Sequence, residues 1–161
     1  GISSWNIGKE QTVFNLSDKV KVGGVVCIES IYPDFVAGFV QKGANILAVV
    51  TNDSWYGYSS GPFQHKENSV LRAVENRRSV IRAANGGISC IIDPLGNIIS
   101  ETELFTRDVL VGSAELREEL TFYTKYPLLF PILASVISIL IIVISIIKKV
   151  SKKLYLQKPK T

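Results

Sequence analysis

The chain has 161 residues, and its 18 Lys and Arg against 14 Asp and Glu give a formal net charge of +4. Six lysines (Lys148, Lys149, Lys152, Lys153, Lys158 and Lys160) fall in the last fourteen residues with no acid among them, so residues 1–126 carry 12 basic against 14 acidic groups. That balance excludes a nucleic-acid footprint, two cysteines leave one disulfide open, and the absence of methionine makes Gly1 read as the start of a fragment or processed piece of roughly one domain.

In chain order, residues 1–18 are polar and turn-rich, with a short strand expected over 12–16. Lys19 to Cys27 reads as a strand in which Gly23 and Gly24 mark a close backbone approach or a bulge. Ser30 is the expected cap of a helix starting near Tyr32-Pro33, since proline suits a first turn, and Phe35, Val36, Phe39 and Val40 follow at helical spacing before Gly43. Residues 45–51 are a second apolar strand, and Asn52 to Pro62 is a loop of Asn, Asp, Ser, Gly and aromatic residues. Strand, helix and strand in that order argue for a mixed α/β architecture with a parallel pair.

From Gln64 to Ala84 the apolar positions Val70, Val74, Ile81 and Ala84 predict one long amphipathic helix, with Arg72, Glu75, Ser79 and Arg82 on another side and Asn85-Gly86-Gly87 as its stop. Ile88 to Asp93 is a strand, Pro94-Leu95-Gly96-Asn97 a turn, and Ile98–Glu101 and Val109–Ala114 are the strands expected after it. Pro127 to Ile147 is a run of 21 residues without a charge. As a helix it spans about 32 Å, a match for a hydrocarbon core of about 30 Å. Pro131 lies in its first turns, Tyr123, Tyr126 and Phe130 gather at one end as interfacial aromatics do, and the lysines lie beyond the other. Excess lysine marks the cytoplasmic side, so the expected division is 1–126 as an extracytoplasmic domain, 127–147 as a transmembrane helix and 148–161 as a basic cytoplasmic tail.

Cys27 stands at the end of the β-branched run Val-Gly-Gly-Val-Val, where a buried strand would stop. Its plain reading is a small hydrophobe in a core strand; the reactive one is a nucleophile, which then needs a base or positive field, because a thiol of pKa about 8.5 is only a few per cent thiolate near neutrality. Cys90, between isoleucines, reads as core filling. His65 is the single histidine, and without a second cysteine at ligand spacing it argues against a metal site. Trp55, Tyr56 and Tyr58 are either a lid that touches lipid or aromatic residues that fold the loop down. Arg72, Arg77, Arg78 and Arg82 are either phosphate contacts or a solvated or salt-bridged helix side, with Glu75 as an ion-pair partner.

The runs Cys27-Ile28-Glu29-Ser30-Ile31-Tyr32-Pro33-Asp34, Thr51-Asn52-Asp53-Ser54-Trp55-Tyr56-Gly57 and Gly61-Pro62-Phe63-Gln64-His65 resemble the C-terminal half of the apolipoprotein N-acyltransferases, a membrane-bound family of the nitrilase (carbon-nitrogen hydrolase) superfamily. Arg72-Ala73-Val74-Glu75-Asn76, Arg82 to Ser89 and Asp93-Pro94-Leu95-Gly96 continue the likeness, which covers about residues 8 to 147. The Trp-containing loop, the Gly-Pro-Phe-Gln-His run and the terminal span together are its specific part.

The resemblance implies part of a nitrilase-like α-β-β-α sandwich followed by one transmembrane helix. It implies transfer of an acyl chain from a phospholipid, through a cysteine thioester, to the N-terminal amine of a diacylglyceryl-modified apolipoprotein at the bacterial plasma membrane, with no cofactor. Cys27 is then the nucleophile, Glu29 supports it, and Trp55, Tyr56 and His65 are candidates for substrate contact. The family's general base, a glutamate, and its oxyanion lysine precede the cysteine, upstream of residue 1 here, and Lys9, Lys19 and Lys21 do not match the lysine motif. Two other functions stay open: a superfamily amidase acting on a small amide or nitrile, and a non-catalytic membrane-anchored module.

Overall fold

The computed structural model describes Gly8 and residues 10–156; residues 1–7 and Lys9 of the polar start, and residues 157–161 of the basic tail, lie outside the described residues. The chain divides into two units, Gly1–Pro127 and Leu128–Thr161.

The first unit is built on one sheet of six strands, β1 (Val13–Asn15), β2 (Lys21–Val26), β3 (Ile46–Asn52), β4 (Val80–Asn85), β5 (Cys90–Ile92) and β6 (Ile98–Glu101), which lie side by side in sequence order. The central three are parallel and the outer pairings antiparallel. Helix α1 (Pro33–Gln41) carries the chain from β2 to β3, and α2 (Gly61–Asn76) carries it from β3 to β4. Parallel neighbours require such crossovers. The core lies between sheet and helices: Val25, Leu47, Val49 and Val80 meet Val36, Phe39, Val40 and Ala73. Gly23 is a close approach rather than a bulge, since a Cβ there would stand 2.9 Å from the Phe39 Cβ. The opposite face carries exposed Phe14, Val26, Val50 and Ile81, beside a cleft of about 1170 Å³.

Three expectations are corrected. The stretch 64–84 is not one helix: α2 ends at Asn76, Arg77 takes the left-handed conformation at φ 51, and Val80–Asn85 is the strand paired with β3. Helical and strand spacing both accommodate Val80-Ile81, and pairing along β3 decides for the strand. Asn85-Gly86-Gly87 therefore closes a strand. Val109–Ala114 forms no strand; the chain there runs into a strap held by side chains, with the Ser79 hydroxyl donating to Glu115 O at 2.9 Å and the Arg78 guanidinium to Glu119 O at 3.0 Å. Ser30 does not cap α1, whose N-cap is Tyr32 without a side-chain bond.

The strap ends in a short helix, α3 (Phe122–Lys125), capped by the Thr121 hydroxyl, which accepts from Thr124 N–H. Thr121 also donates to Glu75 O at 2.6 Å, and the Thr124 hydroxyl donates to the Asn76 side-chain oxygen at 3.0 Å. These bonds moor α3 to the end of α2.

The second unit is α4 (Leu129–Leu156), within which Leu129–Lys149 has a mean hydropathy of 2.9 and no burial. Ser135, Ser138 and Ser145 return their hydroxyls to the carbonyls four residues back. Their polar groups are thus satisfied inside the helix.

Candidate active site around Cys27

Strand β2 stops at Val26, and Cys27 opens a 3-10 turn, Cys27–Ile31, with φ 49. The cysteine is thus not the last residue of a strand, as its sequence position suggested, but the first residue of a turn in the left-handed region. For a residue with a Cβ that conformation costs about 1–3 kcal/mol and persists only where the surroundings over-determine it. The surroundings do so here. The Ser30 hydroxyl donates to Cys27 O at 2.8 Å, His65 Nε2 lies 3.2 Å from the same oxygen and 3.1 Å from Ser30 Oγ, and the Glu29 carboxylate accepts from Val26 N–H at 2.8 Å. Cys27 is half-buried and is not in a disulfide.

Helix α2 supplies two of the groups that grip this turn. His65 and Arg72 stand about two helical turns apart, hence on one face. His65 meets the start of the 3-10 turn, while the Arg72 guanidinium donates to Ser30 O and Ile31 O at its end, each at 3.3 Å. Glu75 orients Arg72 through a 2.7 Å ion pair. Burial pushes the Glu75 carboxyl up, against the pull of Arg72 in the other direction.

Behind His65 lies a chain of buried charge. Nδ1–H donates to Asp53 Oδ1 at 2.8 Å, which also accepts from the Thr51 hydroxyl at 2.9 Å, and Arg82 donates to Asp53 Oδ2 at 2.5 Å. Arg82 further donates to Ile88 O and Ser69 Oγ. Asp53 is 0 %, Arg82 2 % and His65 4 % exposed. Gly87 closes over Asp53 so tightly that a Cβ there would sit 2.5 Å from Oδ2. Cys27 follows β2 and Asp53 follows β3 at the carboxyl ends of parallel strands, where open α/β sheets place their sites.

Of the two readings of the arginines, the salt-bridged one holds for Arg72, paired with Glu75 on α2, while burial leaves Arg72, Arg78 and Arg82 neither solvated nor free for phosphate. Arg72, Arg78 and Arg82 are all buried, and Arg78 spends its donors on Ala44 O, Asn76 O, Arg77 O and Glu119 O. Of the aromatic loop, Trp55 is 83 % exposed on a 3-10 turn, Ser54–Tyr56. The Tyr56 ring stands edge-on to His65 with centroids 6.2 Å apart, and Tyr58 packs on Phe105 at 4.8 Å. Cys90 is wholly buried in β5, and burial pushes its thiol up to about 11, so it stays protonated at neutral pH. Among the described residues no group of three or more His, Cys, Asp or Glu could hold a metal ion.

Sequence reasoning singled out Cys27, Glu29 and His65, placed Arg82 on a helix side, and met Asp53 as part of the Trp-containing loop. The signal for Asp53 was present: an acid directly after an apolar parallel strand. Arg82 was hidden by the assignment of its segment to a helix.

A model of the carbon-nitrogen hydrolase family matches residues 3–119. Apolipoprotein N-acyltransferases of Chlorobaculum tepidum and Geobacter metallireducens are 42% identical over 135 residues and 41% over 130, in each case 81% of this chain and 25% of the relative. That of Thermotoga maritima is 34% identical over 126 residues, 78% of this chain and 25% of the relative. The chain thus spans about a quarter of the length of these relatives. An amidase from Nesterenkonia sp. superposes with a TM-score of 0.51 at 21% identity, over 63% of this chain and 40% of that one, a likeness of fold.

Proposed function

Because this chain belongs to the carbon-nitrogen hydrolase family, we propose that it is the cysteine-bearing portion of an apolipoprotein N-acyltransferase, with Cys27 as its nucleophile. The reading draws on the relatives named above, and one observation carries it: of the two cysteines, Cys27 is accessible and held on a left-handed turn at the mouth of the parallel strands, while Cys90 is sealed in the core.

The reaction runs in two steps. The Cys27 thiolate attacks the ester carbonyl of a phospholipid; the C–S bond forms, the C–O bond breaks, and the lysophospholipid leaves with a proton. The α-amine of a diacylglyceryl-modified apolipoprotein then attacks the thioester, forming the amide and returning the thiol. Splitting the transfer this way replaces one hard step by two easier ones. Glu29, committed to Val26 N–H, supports the turn rather than moving the proton; the base and the oxyanion lysine are the upstream glutamate and lysine of the family pattern. Trp55 and Tyr56 are the aromatic wall on which acyl chain or headgroup rests, with His65 below them.

Residues 1–126 form the extracytoplasmic domain, 127–147 the transmembrane helix and 148–161 the cytoplasmic tail, so that the site faces the outer side of the bacterial plasma membrane. The test is trapping: incubation of the intact protein with phospholipid and no acceptor leaves a hydroxylamine-labile acyl group on Cys27, and Cys27→Ser abolishes both adduct and lipoprotein maturation. An adduct mapped to Cys90, or maturation by Cys27→Ser, overturns the assignment.

A further inference from the structure

We infer that His65 is a positioning residue for the nucleophile, the outer end of a buried Arg82–Asp53–His65 chain that holds Cys27 in its left-handed turn. The inference rests on the reading of Cys27 as the nucleophile and adds a role for the groups buried behind it.

A buried Asp–Arg pair is a poor way to gain stability, since desolvation consumes most of the attraction, and an apolar filling of equal volume does as well. Its retention here coincides with a destination. The bonds run from Arg82 to Asp53, from Asp53 to His65 Nδ1, and from His65 Nε2 to Cys27 O and Ser30 Oγ, so the last atom reached is the carbonyl that sets the direction of the turn. Protonated on both nitrogens, His65 donates to Asp53 and to Cys27 O. Protonated on Nδ1 alone, it accepts the Ser30 hydroxyl, whose single proton is then withdrawn from Cys27 O. In either form Nε2 fastens the turn, and Nδ1, held by Asp53, fixes the ring.

Two near-isosteric variants separate this role from a structural one. In His65→Asn the amide stands where Nδ1 stood and keeps a partner for Asp53 but loses Cys27; in His65→Gln the amide stands where Nε2 stood and reaches Cys27 O or Ser30 while giving up Asp53. The measurement is the rate of iodoacetamide alkylation of Cys27 in the intact protein in membrane vesicles, mapped by mass spectrometry, with Cys90 as the report of a closed fold. His65→Asn is expected to alkylate Cys27 at least tenfold more slowly than the parent, and His65→Gln within about threefold of it, with kcat for acyl transfer following the same order and KM little changed. Equal rates in the two variants, or slowing in His65→Gln alone, overturn the inference. Should either variant expose Cys90, His65→Phe replaces it: the ring keeps the volume beside Tyr56 and offers nothing to Cys27 O or Ser30. Slowing of Cys27 alkylation of several-fold supports the inference, and an unchanged rate overturns it. Cys27→Ser in the same vesicles keeps the outcomes distinct. If it still transfers acyl groups, the nucleophile assignment fails whatever the alkylation rates show.

Discussion

At the scale of single residues, burial and backbone together separate the two cysteines. Cys27 leaves the sheet on a strained backbone and meets solvent; Cys90 lies between Arg82 on β4 and Glu101 on β6 in the ladder, where desolvation dominates its ionisation. A thiol whose native pKa is raised stabilises the fold fully below the unfolded value, and that stability is lost as pH climbs to the native value. Burial raises the Cys90 thiol from 9.0 to about 11, so the loss falls between pH 9 and 11 and amounts to on the order of 2 kcal/mol. Urea unfolding midpoints of parent and Cys90→Ala over pH 8–11 measure it: the parent's midpoint falls faster, and parallel curves contradict the account. Cys90→Ser is expected to cost about 1–3 kcal/mol if its buried hydroxyl finds no partner.

At the scale of elements, the break between α2 and β4 decides the site. Arg77 stops the helix in the left-handed region, where a Cβ is unfavourable, and its N–H bonds back to Ala73 O. Glycine is the usual residue at such a stop. Arg77→Gly is therefore expected to hold or raise stability, by up to about 1 kcal/mol, and Arg77→Val to lower it by a similar amount, read from denaturant midpoints. A loss on going to glycine would mean that the Arg77 side chain, not its backbone, stops the helix. Were the helix to run on to Ala84, Arg82 could not sit between Asp53 and Ser69, and β3 would lose one of its two parallel neighbours.

At the scale of the whole molecule, the sidedness of the proposed span is the open question with the simplest answer. The proposal of a cytoplasmic tail rests on an apolar helix, Leu129–Lys149, followed by lysines, the pattern of the positive-inside rule. Reporter fusions after residues 120 and 161 are expected on opposite sides of the membrane; the same side for both defeats the topology.

What the sequence by itself determined follows from local rules. Strand, helix and strand through β3 came from periodicity and turn residues, the Asp93 to Asn97 turn from Pro and Gly, and the apolar helix from composition, because each is specified by residues near one another in the chain. Tertiary structure decided the rest. Val80-Ile81 suits either period, and only pairing with β3 makes it a strand. Val109–Ala114 has a strand's composition, yet the bonds from Ser79 and Arg78 make its continuation a strap. His65, Arg72 and Arg82 look like surface groups to any reading based on hydrophobic pattern, which assigns polar residues to solvent. They are buried because their partners, Asp53, Ser30 and the carbonyls of the cysteine turn, come from other elements, and a buried charge is tolerated only once those partners are in place.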